Sequence, residues 1–300
     1  MKFREQLIRR AKEAQLSPQR FMQHYAMERF LYRLSLSPYA EKLFLKGGML
    51  LAGLGSAQAR TTMDIDLLGR ISNSPESIRK AMHTIVHTKP GTQDGVTFSD
   101  DFRIEEITKD ALYVGIRVAF QAQVAGEKIA MKIDLGFSDE IFPEPLHLTY
   151  PCAMPDMPAA KLLCYSIESV IAEKWQAMSK LKVMNSRMKD FYDLWFLMRE
   201  HCMDFQTLQE TIRRTFERRG TEWQEYRDLK SEDFLLKKQA EWSTYIRKMK
   251  ADTYHRKPPI ELPPRDLGEV MSCILSCLEP VMEEDMQATW MVGKGWVAAK

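Results

Sequence analysis

The sequence predicts an α+β protein, with a mixed β-sheet in the N-terminal half and a mostly helical C-terminal half. Three observations support this prediction. Short apolar or alternating runs lie among helical patterns in the first 140 residues, five prolines lie between residues 143 and 158, and long helical patterns follow. We therefore expect two domains, residues 1–150 and residues 151–300.

The N-terminal half begins with helices and continues into the strands of the predicted sheet. Ser17-Pro18 and Ser74-Pro75 are typical of an N-cap residue followed by a proline in the first turn of a helix. The segment V-A-G-E at 124–127 indicates the turn of a β-hairpin. The predicted elements are helices over 1–40, 49–54 and 74–87, and strands over 42–46, 63–68, 112–124 and 128–137.

The C-terminal half repeats apolar residues at helical spacing. We predict helices over 159–182, 189–200, 204–218, 231–250 and 267–287. Residues 255–264, with the sequence H-R-K-P-P-I-E-L-P-P, are typical of an extended linker before the last helix.

The composition excludes several classes of protein. The 300 residues, 45% of them hydrophobic, are enough for a sizeable core, and 43 Lys and Arg nearly balance 41 Asp and Glu, which excludes a polyelectrolyte binder of nucleic acid. The five cysteines show no zinc-ligand spacing, and we expect buried, reduced thiols. No apolar run approaches the roughly 20 residues of a membrane helix, and the start, M-K-F-R-E-Q, lacks the apolar core of a signal peptide. We expect a cytoplasmic protein without a membrane segment.

Three aspartates on predicted strands are the leading candidates for a metal site. Asp64 and Asp66 alternate along one strand, so their side chains point to the same face about 6.5–7 Å apart. Asp134 lies between Ile133 and Leu135 on another predicted strand of the same sheet. Three carboxylates on one face repel one another without cations, and hard oxygen ligands suit Mg²⁺. The pattern therefore predicts a site for two Mg²⁺ ions that bind the phosphates of a nucleotide.

The pair Gly47-Gly48 lies between a predicted strand and a predicted helix. Backbone N–H groups at such a turn bind anions, because no side chain blocks the approach and the helix dipole favours negative charge. Each pattern alone is common, and the alternative interpretation is a pair of exposed strand acids and an ordinary turn. The order of the elements favours the metal site: strand, Gly-Gly, helix, D-x-D strand, and a later strand with an aspartate between apolar residues.

This order resembles the nucleotidyltransferase superfamily that includes DNA polymerase β, and its details are similar to the AbiEii family of toxins, which includes the MenT-type toxins. Four segments contribute to the resemblance: F-L-K-G-G-M-L-L at 44–51, R-T-T-M-D-I-D-L at 60–67, I-A-E-K-W-Q-A at 171–177 and R-M-K-D-F-Y-D-L at 187–194. The resemblance implies a polymerase β-like N-terminal domain followed by a helical domain. One position departs from the family: Met49 stands where a Thr or Ser often follows the glycine pair.

The resemblance also implies roles for individual residues. Asp64 and Asp66 would be metal ligands, and Asp134 would be a third ligand or the base for the acceptor hydroxyl. Lys174 would contact the triphosphate, and Asp190 would orient Lys174 or the nucleotide. The residues implied in nucleotide binding are Gly47, Gly48, Arg60, Thr62 and Lys174.

Several of these residues also have a purely structural interpretation. Lys174 could be a surface lysine whose stem lies on the core. Asp190 and Asp193 could be acids that the helix dipole stabilises in a first turn, and Arg60 could pair with Asp64.

The activity that the resemblance implies is Mg²⁺-dependent transfer of nucleotides from an NTP to an RNA acceptor, expected to be a tRNA 3′ end, by the toxin of a toxin–antitoxin pair. A cognate antitoxin is then an expected partner, and we expect a monomer because no long apolar stripe is left without an intramolecular use. Two alternatives remain: transfer to a small molecule or a protein hydroxyl, and a scaffold that binds NTP or RNA without turnover. The presence of all three aspartates favours catalysis.

Two further patterns in the sequence are less specific. Cations interleaved with aromatic residues predict either an RNA groove or a solvated helix face, because acids such as Glu217 and Glu222 lie among them. The cations are Arg213, Arg214, Arg218, Arg219, Lys237, Lys238, Arg247, Lys248, Lys250, Arg256 and Lys257, and the aromatic residues are Trp223, Tyr226, Trp242 and Tyr245. His83 and His87 have i, i+4 spacing without the acid of an H-E-x-x-H motif, and we expect no zinc site there.

Overall fold

The computed structural model describes residues 3–54, 62–109, 113–137, 141–253 and 262–298. These residues form two compact units. The first unit holds the described residues up to 137 together with Pro145–Tyr165. The second holds Ile141–Glu144, Ser166–Thr253 and the described residues from 262 onwards.

The first unit combines helices with a mixed sheet. Its helices are α1 (Phe3–Glu13), α2 (Pro18–Leu36), α3 (Gly47–Gly53) and α4 (Pro75–His87). Its strands are β1 (Leu43–Lys46), β2 (Ile65–Gly69), β3 (Val96–Phe98), β4 (Arg103–Lys109), β5 (Tyr113–Val124), β6 (Glu127–Gly136), β7 (Leu146–Thr149) and β8 (Lys161–Cys164). Ser17 and Ser74 cap α2 and α4, and each accepts a hydrogen bond from the backbone N–H three residues on.

In the described residues of this unit, eight strands form one sheet. Seven of them follow the order β3-β5-β6-β2-β1-β8-β7, and β4 pairs with β5 beside β3. The pairs β2–β6 and β1–β8 are parallel, whereas the other pairs are antiparallel. Ala125 and Gly126 close the β5–β6 hairpin with positive φ angles, as a type I′ turn requires. Strands β6 and β2 are flanked by β5 and β1 and therefore place their residues inside the sheet, away from its edges.

Helix α2 is buried around most of its circumference, including its charged residues. Arg33 donates two hydrogen bonds to the Asp94 carboxylate at 2.9 and 3.1 Å. Arg29 donates to the carbonyl oxygen of Pro158, and Glu28 accepts from the backbone N–H of Ala153. These pairs satisfy the charges, because an unpaired ion in the core would cost several kcal/mol.

The second unit is mostly helical, as the sequence predicts. It contains α5 (Ile167–Leu181), α6 (Met188–Glu200), α7 (Phe205–Arg218), α8 (Glu232–Thr253), α9 (Leu267–Glu283), and the 3₁₀ helices Lys182–Met184 and Trp223–Lys230. A small antiparallel sheet has the order β11-β10-β9, from Gly295–Ala298, Ala288–Met291 and Met203–Asp204. Trp175, Phe191, Leu194, Trp242 and Ile274 are among the buried side chains of its core.

The predicted α+β class is confirmed, and several predicted elements differ in detail. The first residues of the predicted helix 159–182 form strand β8 instead, because this segment pairs with both β1 and β7. The last predicted helix ends at Glu283, and the hairpin β10–β11 follows it. Residues 255–261 of the predicted linker lie outside the described residues.

Two further expectations concern the cysteines and the membrane. Cys164 and Cys277 are buried as expected, but Cys202 is exposed and Cys152 and Cys273 are half-buried, so the expectation of five buried thiols is wrong. Cys202 follows the end of α6, where the chain turns at the surface. None of the helices in the described part of the chain is both long enough and apolar enough to cross a membrane.

Candidate active site

The register of two parallel strands places two of the predicted acids side by side. Asp66 on β2 and Asp134 on β6 are direct partners, and their neighbours Ile65 and Ile133 pair beside them and are fully buried. The alternation along each strand sends the isoleucines into the core and both aspartates to the opposite face. Asp64 lies in the bend just before β2, two residues from Asp66.

The glycine pair packs directly against this D-x-D strand. Gly47 has φ +67°, and a Cβ built on it would lie 2.2 Å from Asp66 Oδ2. A Cβ on Gly48 would lie 2.8 Å from the Cβ of Thr62. Thr62 Oγ1 in turn donates a hydrogen bond to Asp64 Oδ1 at 2.9 Å. The two sequence motifs therefore interlock, and side chains on the glycines would displace the residues that orient the acids.

The helix that follows the predicted anion site at the glycine turn is short. The segment after the glycine pair, α3, has seven residues, so few aligned peptide dipoles stand behind its N-terminus. Met49 is fully buried, and the hydroxyl of Tyr150 donates to its Sδ at 3.5 Å. The residue in the position where the family often has a hydroxyl therefore belongs to the core and does not face a ligand.

Arg117 is a member of the site that sequence reasoning missed. It lies on β5 as the register partner of Asp134, and its Nε and Nη2 donate to Asp134 Oδ1 and Oδ2 at 2.8 and 2.9 Å. This hydrogen-bonded pair raises the pKa of Arg117, and the charges of Asp64 and Asp66 act in the same direction. Arg117 therefore compensates part of the negative charge of all three acids.

Lys46 is a second cation at the same place. It ends β1 opposite Asp66, immediately before the glycine pair, and its Nζ lies 5.0 Å from the centre of the Tyr165 ring. The three aspartates carry three negative charges, and Arg117 and Lys46 carry two positive charges. These five residues together therefore have a net negative charge.

The donor set of Asp64, Asp66 and Asp134 suits a hard divalent cation, because its ligands are carboxylate oxygens with surplus negative charge. Asp134 is the exception in geometry, since both of its oxygens accept from Arg117. Among the described residues, one group of three His, Cys, Asp or Glu side chains has ligand atoms all within 4.8 Å of one another, and it is His83, His87 and Asp100. The aspartates thus fit a metal through Asp64 and Asp66, and Asp134 would share its carboxylate between the metal and Arg117.

Lys174 and Asp190 come together inside the second unit. Lys174 Nζ donates to Asp190 Oδ1 at 2.7 Å and lies 2.8 Å from Asp193 Oδ2. Both carboxylates are buried, since only 1% of each aspartate side chain is exposed. The Lys174 side chain is 12% exposed. Arg187 Nε lies 3.1 Å from Asp190 Oδ2, a distance that suits an ion pair without the alignment of a hydrogen bond. The surface-lysine interpretation of Lys174 is therefore wrong.

Asp193 takes part in this cluster, although the sequence favoured a dipole-stabilised acid at the start of a helix. It lies in the second turn of α6, facing the same lysine as Asp190. The i, i+3 spacing of Asp190 and Asp193 places both on one helix face. This spacing is the sequence signal that would have predicted Asp193 as a second partner of Lys174. Arg60 lies outside the described residues, so its two interpretations stand as predictions.

Two of the four aromatic residues that lie among the cations of the C-terminal half are unable to stack on a base. Tyr226 and Trp242 are buried, so neither ring can stack on a base. Arg213 pairs with Glu210 and Glu217 at 2.7 and 2.6 Å, and comparable pairs join Arg214 to Glu210 and Lys238 to Glu241. The structure favours the solvated, ion-paired helix face here. Arg256 and Lys257 lie outside the described residues.

Comparison with known proteins adds independent information. The model of the family described as nucleotidyl transferase AbiEii toxin, type IV TA system, matches residues 29–261. No curated protein matches the chain at the significance applied.

Two similar solved structures come from Helicobacter pylori. One is described as a candidate nucleotidyltransferase, with a TM-score of 0.48 and 16% identity over 86% of this chain and 96% of that chain. The other is JHP933, with a TM-score of 0.44 and 15% identity over 86% of this chain and 93% of that chain.

The family match extends over most of the sequence and includes every motif that forms the two clusters described above. The chain belongs to the AbiEii family of nucleotidyltransferase toxins of toxin–antitoxin systems.

Proposed function

We propose that this toxin transfers nucleotides from an NTP to an RNA acceptor, a tRNA 3′ end, in a Mg²⁺-dependent reaction that inhibits growth. The observation that supports the proposal most strongly is the convergence of Gly47, Asp66 and Asp134 on one part of the sheet. A nucleotidyltransferase of a toxin–antitoxin family has a nucleotide substrate and a cognate antitoxin. The acceptor and the metal are the new parts of the proposal.

Asp64 and Asp66 would hold the metal, because their oxygens are hard donors on one face of the sheet. Mg²⁺ bound there would neutralise charge that develops on the α-phosphate and the leaving group. Thr62 fixes the Asp64 carboxylate by its hydrogen bond, and the close approach of Gly47 leaves room for Asp66. The chain thus prearranges both ligands, which lowers the cost of organising them during the reaction.

In the transfer step, the acceptor hydroxyl oxygen bonds to the α-phosphorus of the NTP while the bond from that phosphorus to the β-phosphate oxygen breaks. Pyrophosphate leaves, and the hydroxyl proton passes to a base or to water. Asp134 is the proposed third ligand or base, and each of its oxygens keeps a lone pair for that role beside the hydrogen bond from Arg117. Arg117 would remain next to the phosphates, for whose oxygens a guanidinium is a well-suited partner.

Lys174 remains the proposed contact of the triphosphate, and Asp190 the residue that orients it. The 2.7 Å hydrogen bond between them supports the orienting role, because it fixes the ammonium group on a buried carboxylate. Asp193 is a second group with the same effect.

The choice of RNA as acceptor rests on the toxin family. Nucleotides added to the acceptor end of tRNA would block aminoacylation and hence translation, which is a direct way to inhibit growth. The ion-paired cations of the C-terminal half weaken the case for an RNA groove on those helices, so the RNA would have to be recognised elsewhere on the protein.

The test incubates the purified protein with total tRNA, Mg²⁺ and each α-labelled NTP in turn, and resolves the RNA on a denaturing gel. We expect label on RNA with the wild type and none with Asp64→Asn. Asp101→Asn, an exposed acid outside the site, is the matched control and should retain activity. Label on protein or on a small molecule would support the alternative acceptors, and label on RNA that persists without divalent metal would contradict the metal dependence.

A further inference from the structure

The solvent face of helix α4 carries two histidines that lie side by side. Its other face is buried through Ile78, Ala81, Met82, Ile85 and Val86, which fixes the helix on the first unit. His83 and His87 are four residues apart and exposed, and their ring centres are 4.4 Å apart. This spacing brings two imidazole nitrogens to one side of the helix, where both can bind the same ion.

A carboxylate from another element completes a group of three. Asp100 lies in the short segment between β3 and β4, and one of its oxygens, Oδ2, lies 3.3 Å from His87 Nε2. One ligand atom from each of His83, His87 and Asp100 falls within 4.8 Å of the other two. The sequence did not indicate this group, because Asp100 follows His87 by 13 residues and comes from a different element.

The two elements are already held in place without an ion. Arg79 of α4 donates through Nη2 to the carbonyl oxygen of Phe102 at 3.2 Å. Phe102 is buried and packs edge-on against Phe120, and the backbone N–H of Ser99 donates to the carbonyl oxygen of Gln121 at 2.8 Å. The ligands therefore sit on a rigid framework, and an ion would have to reorient only their side chains.

The chemistry of the group distinguishes it from the aspartates of the proposed catalytic site. Two imidazoles and one carboxylate suit borderline ions such as Zn²⁺, Co²⁺ and Ni²⁺, whereas Mg²⁺ prefers oxygen ligands alone. We propose that His83, His87 and Asp100 bind one transition-metal ion of this class, which ties α4 to the segment between β3 and β4. Water completes the coordination of the ion, because all three residues are exposed.

The test titrates the full-length protein with Co²⁺ in excess Mg²⁺ and follows the visible absorption of the bound ion. We expect one equivalent to bind to the wild type. Loss even of an outer partner of a metal ligand weakens binding about 10–100-fold, so His87→Gln and Asp100→Asn should each weaken binding at least about tenfold. His147→Gln, an exposed histidine on β7, is the matched control and should bind like the wild type.

Two results would overturn the proposal. The first is equal Co²⁺ affinity in the wild type and in both His87→Gln and Asp100→Asn. The second is loss of the bound equivalent in Asp64→Asn with Asp66→Asn, since the ion would then belong to the aspartates. Far-UV circular dichroism of His87→Gln and Asp100→Asn should match the wild type, because these two side chains are exposed.

Discussion

A Cβ on Gly47 would lie 2.2 Å from the carboxylate oxygen Oδ2 of Asp66, so the two residues approach more closely than any residue with a Cβ at position 47 would allow. The φ angle of Gly47, +67°, independently favours glycine. Two features therefore require a glycine at position 47: its left-handed backbone conformation and the close approach of Asp66. Comparison with a glycine that has only the left-handed conformation can separate the effects of these two features.

Gly47→Ala should lower both stability and nucleotide transfer. The left-handed conformation alone costs an alanine about 1–2 kcal/mol, and displacement of Asp66 by about 1 Å should lower transfer about 100-fold. Gly91→Ala is the matched control, since Gly91 has φ +73° and open space around the added Cβ. Thermal unfolding and the transfer assay on both variants check the prediction, and an equal loss of activity in the two would contradict it.

Asp64→Asn and Asp66→Asn should each lower nucleotide transfer by about 10²–10³-fold, because each removes a charge that would bind Mg²⁺ near the reacting phosphate. Both residues are partly exposed, so the folded state should persist. Single-turnover transfer with circular dichroism on the same samples is the measurement. Normal transfer by both variants would show that the D-x-D strand is not catalytic.

Arg117→Gln should make stability more dependent on Mg²⁺. The substitution leaves Asp134, which is 3% exposed, without its guanidinium partner, and we expect a loss of about 1–3 kcal/mol in the absence of metal. Mg²⁺ should then raise the melting temperature of the variant more than that of the wild type, because the ion no longer competes with Arg117 for Asp134.

Arg103→Gln is the control for this experiment. Arg103 pairs with Glu105 on the same strand but is 78% exposed, so its loss should change stability by less than about 0.5 kcal/mol. An equal response to Mg²⁺ in Arg117→Gln and the wild type would show that Asp134 does not contact the metal.

Lys174→Met should destabilise the second unit by about 3–5 kcal/mol, because it leaves the buried carboxylates of Asp190 and Asp193 close together with less compensation. Adding Asp193→Asn to that variant should restore part of the loss, since only one acid then remains charged. Urea unfolding of the single and double variants measures this coupling. Lys237→Met, at an exposed pair with Asp233, should have almost no effect, and additive losses in the double variant would contradict the shared-lysine geometry.

Thiol modification of the native protein should single out one cysteine. Cys202 is exposed, whereas burial raises the pKa of the Cys164 thiol to about 12 and that of Cys277 well above its usual value. A thiol reagent at pH 8 should therefore show a single fast phase that Cys202→Ser removes and Cys164→Ser leaves unchanged. A fast phase that persists in Cys202→Ser would contradict this assignment.

Local signals account for the parts of the fold that were predicted correctly. The serine–proline caps at Ser17 and Ser74, the V-A-G-E turn and the helical periodicity after residue 165 each act within a few neighbouring residues. Strands β3, β4, β7, β8 and β9 and the hairpin β10–β11 were missed, because they have at most seven residues each and are stabilised by pairing with other segments. A four-residue strand such as β8 has no periodicity long enough to distinguish it from the start of a helix.

The sequence by itself determined the class of the protein, its acids and its glycine pair, since the motifs at 44–51 and 60–67 specify chemistry through residue type and spacing. The tertiary structure decided the partners of these residues. Arg117 reaches Asp134, and Asp100 reaches His87, because strand register and the packing of α4 bring together residues that are 17 and 13 positions apart. Such contacts depend on how strands pair and helices pack, and a single sequence does not encode them in any local pattern.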